Sequence, residues 1–244
     1  TENFQRPYLS KNIKEYWKRW HITMGTWFTD YIFYPISVCK PMLKLSKFSR
    51  AKFGEVIGKR VPVYLSSFAV WFTTGIWHGA SWNFIVWGLM NFVVIMISQE
   101  LEPLYAKFHN RFHVKDKKWY GAFEIIRTIL LMSCLRMFDC YRDVPLTFKM
   151  FGNMFTKFNL ADLNAEAFLG LGLTVADYIL LFICFLILLT VSLIQEKKGS
   201  VRDLIFACPA WCKYAVFGLL VLAVIVFGAY GIGYDQSQFI YNQF

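Results

Sequence analysis

Two long apolar segments constrain this chain more than any other feature. Residues 175–195 and 214–232 each approach the roughly 20 apolar residues that a helix needs to cross a bilayer. Three further apolar runs are shorter or carry charges: 61–76, 83–98 and 121–138. Because backbone polar groups inside a bilayer must be satisfied within the segment, such runs fold as helices. The sequence therefore predicts an all-α, polytopic membrane helical bundle, with residues 1–244 as a single unit.

The charge distribution argues against nucleic acid as a partner. The net charge is +10, but hydrophobic residues make up 57% of the chain and charged residues only 17%. The Lys and Arg side chains lie mostly between the apolar runs, at 40–60, 100–118 and 196–213. Basic loops of this kind stay on the cytoplasmic side, near anionic lipid headgroups. We therefore expect a multi-pass protein of the plasma membrane that contacts lipid and binds no nucleic acid.

Residues 11–34 predict an amphipathic helix that lies in the membrane interface. Its apolar side chains are spaced three and four apart and share one face: Ile13, Trp17, Trp20, Met24, Trp27 and Phe28. The basic residues lie mostly off that face, as is typical of interfacial helices. His21 lies in the middle, beside the apolar face. From its position alone, a structural role for this histidine is the simpler interpretation.

A second histidine, His78, stands between two apolar runs in WFTTGIWHGASWNFIVWG, residues 71–88. A neutral imidazole can exchange a proton near neutral pH, but an apolar setting is costly for it without a partner. Gly75 and Gly79 would let another backbone or a substrate approach closely, and the tryptophans supply walls with one polar atom each. A structural histidine satisfied by a neighbouring helix fits equally well, and the segment could also form a re-entrant hairpin.

Other catalytic and metal-binding patterns are absent from the sequence. It contains no G-x-S-x-G elbow, no glycine-rich phosphate loop and no H-E-x-x-H motif. His109 and His113 share a helical face without a third ligand, and the 6 cysteines have no metal-site or disulfide spacing. A lone buried histidine suits removal of a proton from a hydroxyl that attacks an activated acyl group. We expect no metal and no permanently bound cofactor.

The run 121–138 is unusual because it contains charged residues. Glu124 and Arg127 are three apart and can pair on one helix face. Charges at membrane depth usually face a bundle interior or a wet cavity. For Arg136 the simpler interpretation is a place at the lipid headgroups, with Asp139 as its partner.

Three segments, in this order, resemble the membrane-bound O-acyltransferase (MBOAT) family: NFQRPYLSKNIKEYWKRWHITMGTWFTDYIFYPI, TGIWHGASWNFIVWG and GAYGIGYDQSQFIYNQF. The resemblance is strongest to the branch with bacterial alginate O-acetyltransferases and the D-alanyl transferases of teichoic acids. It begins inside a family motif, so we expect residues 1–244 to form the C-terminal half of a longer protein. After Tyr34-Pro35 the alginate branch usually has a Leu-Gly-Gly turn, whereas this chain has Ile-Ser-Val-Cys. That departure leaves the acyl donor and acceptor open.

The resemblance implies transfer of an acyl group, acetyl in the alginate branch, from a cytosolic thioester to a hydroxyl of an extracytoplasmic polysaccharide or cell-envelope polymer. His78, in W-H-G-x-x-W, matches the family's catalytic histidine, and His21, in R-W-H, matches a second functional histidine. The substrate-binding residues that we expect beside them are Arg19, Trp20, Trp77, Trp82 and Asn83.

The implied donor is acyl-CoA or an acyl-carrier-protein thioester. The implied partners are the polysaccharide acceptor and either an acyl carrier or a periplasmic or extracellular acyltransferase. Two other functions stay open. A polysaccharide or lipid transporter or flippase component could use Glu124, Arg127 and His78 as a relay, although the inverted repeats typical of transporters are not visible. The chain could also be a non-catalytic subunit.

Overall fold

The computed structural model describes residues 2–157 and 159–228, and within these ranges it contains helices and turns but no strand. The predicted all-α class is confirmed. The chain divides into two compact units, Thr1–Phe158 and Asn159–Phe244, which are described separately. The aromatic C-terminal segment that carries part of the family resemblance lies almost entirely at 229–244, outside the described residues.

The predicted interfacial helix is broken into short pieces. It comprises α1 (Ile13–Arg19), α2 (Ile22–Phe28), a π-helical turn (Thr29–Phe33) and α3 (Tyr34–Val38). The break between α1 and α2 is at His21, which has left-handed backbone angles of φ 48° and ψ 53°. This conformation costs a residue with a side chain on the order of 1 kcal/mol. Neighbouring contacts must therefore hold His21 in place.

The segment that precedes α1 provides those contacts. Phe4 and Trp20 form an antiparallel β-bridge, and the Ile22 N–H donates to the Asn3 carbonyl at 3.1 Å. These bonds flank His21 on both sides in the sequence. They fix the turn of the chain there and so fix the direction of the imidazole.

The predicted basic loop at 40–60 is helical instead. It belongs to α4 (Lys40–His78), which is kinked at Gly54, where φ is 86°. Beyond the kink the helix folds back, and the Ser46 hydroxyl donates to the Gly58 carbonyl at 3.2 Å. Small residues allow this close approach, since a Cβ on Gly58 would lie 2.5 Å from the backbone nitrogen of Arg50.

The second half of α4 and α5 (Trp82–Glu100) form an antiparallel hairpin with touching backbones. A Cβ on Gly88 would lie 2.4 Å from the Trp71 carbonyl oxygen, and one on Gly75 would lie 2.8 Å from the Phe84 carbonyl oxygen. The expected close backbone approach at Gly75 is therefore confirmed. His78 ends α4, at the turn of this hairpin.

The first unit is completed by α6 (Glu102–Phe112), α7 (Lys118–Tyr141) and α8 (Val144–Thr156). The Arg127 guanidinium donates to the Lys11 carbonyl at 2.8 Å, which fixes α7 beside the start of α1. One buried cluster joins α1, α5 and α7, and its members are Ile13, Tyr16, Trp87, Met132, Leu135 and Phe138.

The second unit contains α9 (Ala165–Leu169), α10 (Val175–Lys198), α11 (Val201–Phe206) and α12 (Ala210–Phe227). A capping box between Thr174 and Asp177 starts α10. Among the described residues, three helices are long and apolar enough to cross a membrane: α5, α10 and α12. The strongest apolar segments of the sequence are thus confirmed as helices, whereas 61–76 and 121–138 lie in α4 and α7, which are not among the three.

Candidate active site

His78 is half-buried in an aromatic environment. Its imidazole centroid lies 4.7 Å from the ring of Trp87 and 4.9 Å from the ring of Trp77, both edge-on, and 6.3 Å from Phe84. Trp87 is 5% exposed and is held by the core cluster. The histidine therefore stands against a fixed wall on one side.

His21 reaches the same place from a different element. Its ring lies 4.9 Å from Phe4, 5.8 Å from Trp20 and 6.5 Å from Trp77. Trp77 therefore contacts both histidines. Two residues that are 57 positions apart in the sequence meet at one indole, as a site with two cooperating histidines requires.

The electrostatic environment keeps His21 neutral. Burial lowers the pKa of His21 below its ordinary value, and the nearby positive charge of Arg136 lowers this pKa further. A histidine whose pKa is lowered in this way is unprotonated at neutral pH. It then has one nitrogen that donates a hydrogen bond and one that accepts one.

A cavity of about 520 Å³ opens beside His21. Its lining is mixed and includes Lys14, Lys18 and Asp30 as well as Trp17, Trp20 and Trp71. Trp17 and Trp71 also contact Trp87, at ring distances of 5.9 and 6.4 Å. Ring contacts thus connect the indoles that line the cavity to Trp87, the indole that contacts His78.

The predicted substrate-binding residues differ in their surroundings. Trp20 and Trp77 contact His21 directly. Asn83 is 3% exposed, and its amide donates to the Phe138 carbonyl at 3.2 Å, which joins α5 to α7. Trp82 is 75% exposed.

Arg19 forms an ion pair with Glu15 at 2.7 Å. This pair connects residues one turn apart on α1. The structure therefore gives Arg19 a local contact beside the predicted site, while its role in binding substrate stays a prediction.

Two residues beside the histidines were missing from the predicted site. Trp87 follows the buried Asn83 by four residues, so helical spacing could have placed it on the same inward face. Arg136 has its guanidinium carbon 5.5 Å from the centroid of the Trp20 ring. The predicted contact of Arg136 with Asp139 is present at 3.4 Å, but no local pattern could have placed α7 against Trp20.

Other groups of chemically active side chains are weaker candidates. Among residues 2–157 and 159–228, no group of three His, Cys, Asp or Glu side chains could hold a metal ion. The Nε2 atom of His109 lies 2.9 Å from the Tyr120 hydroxyl, so this histidine has a partner within α6 and α7. The two histidines at Trp77 thus remain the best candidate site.

Comparison with known proteins shows the family of this chain. The sequence model of the membrane-bound O-acyltransferase (MBOAT) family matches residues 1–141, which include both histidines and all of α4 and α5. The chain belongs to this family. No solved structure matches it significantly.

Curated members of the MBOAT family show moderate similarity. A probable alginate O-acetylase of Azotobacter vinelandii is 28% identical over 67% of this chain and 28% of its own length. A peptidoglycan O-acetyltransferase of Helicobacter pylori is 31% identical over 44% of the chain and 17% of its own. A teichoic acid D-alanyltransferase of Bacillus subtilis is 34% identical over 52% and 29%, respectively. The chain thus spans less than a third of the length of these relatives.

Proposed function

We propose that this MBOAT protein transfers an acyl group, acetyl in the first instance, from a cytosolic thioester to a hydroxyl of an extracytoplasmic polysaccharide or cell-envelope polymer. The observation that carries the proposal is the meeting of His21 and His78 at Trp77, inside the segment that matches the family model. The names of its relatives refer to alginate, peptidoglycan and teichoic acid, which supports a polymer acceptor.

The proposed chemistry needs one general base. The neutral imidazole of His78 removes the proton of the acceptor hydroxyl while the oxygen attacks the thioester carbonyl carbon. A C–O bond forms and a tetrahedral oxyanion results. The C–S bond then breaks, and the leaving thiolate takes the proton from the imidazolium. The acyl group passes directly to the acceptor, without a covalent intermediate on the enzyme.

Trp87 supplies a proposed donor for the oxyanion. Its ring lies edge-on against His78, and its buried Nε1 has no hydrogen-bond partner among the described residues. A preorganised donor at such a place stabilises charge that develops in the transition state. Trp82, one of the expected substrate-binding residues, is 75% exposed, so we choose Trp87 for this role.

Replacing Trp87 with phenylalanine keeps an aromatic ring against His78 but removes the N–H group. We expect kcat to fall about 10²-fold, the lower end for loss of one oxyanion donor, with KM nearly unchanged. Trp119→Phe, at an exposed indole of α7, is the matched control. Steady-state acylation kinetics of both variants test this role, and equal kcat values for the two variants would contradict it.

The cavity beside His21 suits a small part of a substrate. Its volume of about 520 Å³ falls within the range of ligand pockets in proteins, roughly 300–1,000 Å³. We propose that it receives part of the donor, either acyl-CoA or the thioester arm of an acyl-carrier protein. His21 then holds the donor while His78 acts on the acceptor.

His21→Ala is expected to reduce acylation roughly tenfold, the order of one hydrogen bond. The effect is smaller than for loss of a general base because positioning is easier to replace than proton transfer. The measurement is the initial rate at saturating acceptor with varied donor, where the change should raise the KM for the donor. A variant with unchanged kinetics would return His21 to a structural role.

The proposed function is tested in plasma-membrane vesicles that contain the protein. A radiolabelled acetyl thioester is supplied on the cytoplasmic side, as acetyl-CoA or as an acetylated carrier protein, and alkali-labile ester is measured on the envelope polymer. The competing transporter function predicts movement of polymer or lipid without a new ester bond. Vesicles that gain no ester with either donor would refute the proposal.

A further inference from the structure

Arg136 lies at the predicted site although it comes from α7. Its guanidinium carbon is 5.5 Å from the centroid of the Trp20 ring, and Trp20 is the residue before His21. The ring of Tyr16, in α1, stacks on the Trp20 ring, with 5.6 Å between the centroids and an interplanar angle of 13°. Because Tyr16 is only 4% exposed, Trp20 is a well-supported surface for the guanidinium.

The packing of α7 fixes the position of this arginine. Phe138, two residues later, is completely buried, and its carbonyl accepts the amide hydrogen bond of Asn83 at 3.2 Å. Nine residues earlier, Arg127 is bonded to the Lys11 carbonyl. Arg136 is therefore carried by a helix that is bonded to α5 and to the segment just before α1.

The guanidinium can bind more than its present partner. A guanidinium has five N–H donors, and the contact to Asp139 is a single one of 3.4 Å through Nη1. The Arg136 side chain is 53% exposed. A half-exposed arginine on an aromatic ring, beside a neutral histidine, provides the planar fork that carboxylate and phosphate groups fit.

We propose that Arg136 and Trp20 form an anion-binding subsite that holds a carboxylate or phosphate group of one substrate next to His21. The inference rests on the proposed acyl transfer and deepens it, because it gives one substrate an anionic group. Two sources share this chemistry: the phosphate of a thioester donor and the acidic groups of an envelope polymer.

The first test measures binding without turnover. The protein in detergent is titrated with inorganic phosphate at constant ionic strength, and thermal stability reports binding. We expect saturable stabilisation of the wild type, and an apparent affinity lower by about tenfold in Arg136→Gln, the order of one charge-assisted hydrogen bond. Arg136→Lys should keep part of the affinity, and Asp139→Asn should raise it by removing the competing carboxylate.

Lys149→Gln is the matched control, since it removes one positive charge from an exposed position of α8. It should bind phosphate like the wild type. Equal phosphate affinity in the wild type, Arg136→Gln and Asp139→Asn would overturn the subsite, as would an equal loss in Lys149→Gln. Because Arg136→Lys and Asp139→Asn keep the size of the side chains, misfolding of Arg136→Gln alone does not remove the test.

The second test identifies the source of the anion by kinetics. If the donor supplies it, Arg136→Gln raises the KM for the thioester; if the acceptor supplies it, the KM for the polymer rises instead. Acylation with unchanged KM for both substrates overturns the subsite while leaving acyl transfer standing. Absence of acylation in the wild type refutes the proposed function, and phosphate binding then still decides the subsite.

Discussion

Replacing His78 with alanine or glutamine is expected to abolish acyl transfer while expression and membrane insertion stay normal. The imidazole is the group that we propose to take the hydroxyl proton, and loss of a general base costs up to about 10⁴-fold in rate. Glutamine keeps the approximate size and polarity of the side chain, so it separates proton transfer from packing against Trp87. The measurement is ester formation on the envelope polymer, normalised to protein in the membrane.

The matched control for this experiment is His113→Gln. His113 is exposed at the end of α6 and lies outside both predicted histidine motifs. Its variant should retain full activity. Near-normal acylation by His78→Gln would remove His78 from the catalytic role, and an inactive His113→Gln would show that the assay reports general damage.

Gly88→Ala is expected to disrupt the site although it adds a single methyl group. The new Cβ would lie 2.4 Å from the Trp71 carbonyl oxygen and 3.2 Å from the backbone of Gly75. Backbone atoms cannot rotate away, so α5 must move from α4. Overpacking of this kind costs about 1–3 kcal/mol, and the shift separates Trp87 from His78. We expect a lower melting temperature and loss of most acylation.

The control for this prediction is Gly152→Ala in α8. A Cβ at Gly152 would have no neighbour within 4 Å, and alanine in a helix interior is favoured over glycine by roughly 0.5–1 kcal/mol. The control should therefore be as stable as the wild type or more stable. If Gly88→Ala matched it in melting temperature and activity, the close α4–α5 contact would not be needed to hold His78.

Much of the fold could be predicted from the sequence because its strongest signals are local. The apolar segments that form α10 and α12 are recognised by their length and hydropathy, which need no tertiary context. Both histidines could also be singled out from the sequence, because R-W-H and W-H-G-x-x-W are each short, unbroken motifs. The role of Gly75 followed from the absence of a side chain.

Other features were mispredicted because local patterns leave them undetermined. The apolar spacing of residues 11–34 is continuous, so it cannot show that His21 adopts a left-handed conformation and breaks the helix. That break depends on the bridge between Phe4 and Trp20. Similarly, the basic stretch at 40–60 looked like a loop, whereas a fold at Gly54 lets it form two packed helical segments.

The sequence by itself determined the all-α class, the longest apolar helices and the two histidines that we propose for the site. Only the tertiary structure decided that both histidines meet at Trp77, that Trp87 stands beside His78 and that Arg136 reaches Trp20. The physical reason is that a helix is recognised from the spacing of apolar residues three and four positions apart, which is a local pattern. A site, in contrast, is formed by side chains that packing brings together. Trp20 and Arg136 are 116 positions apart, and no local pattern in the sequence indicates their contact.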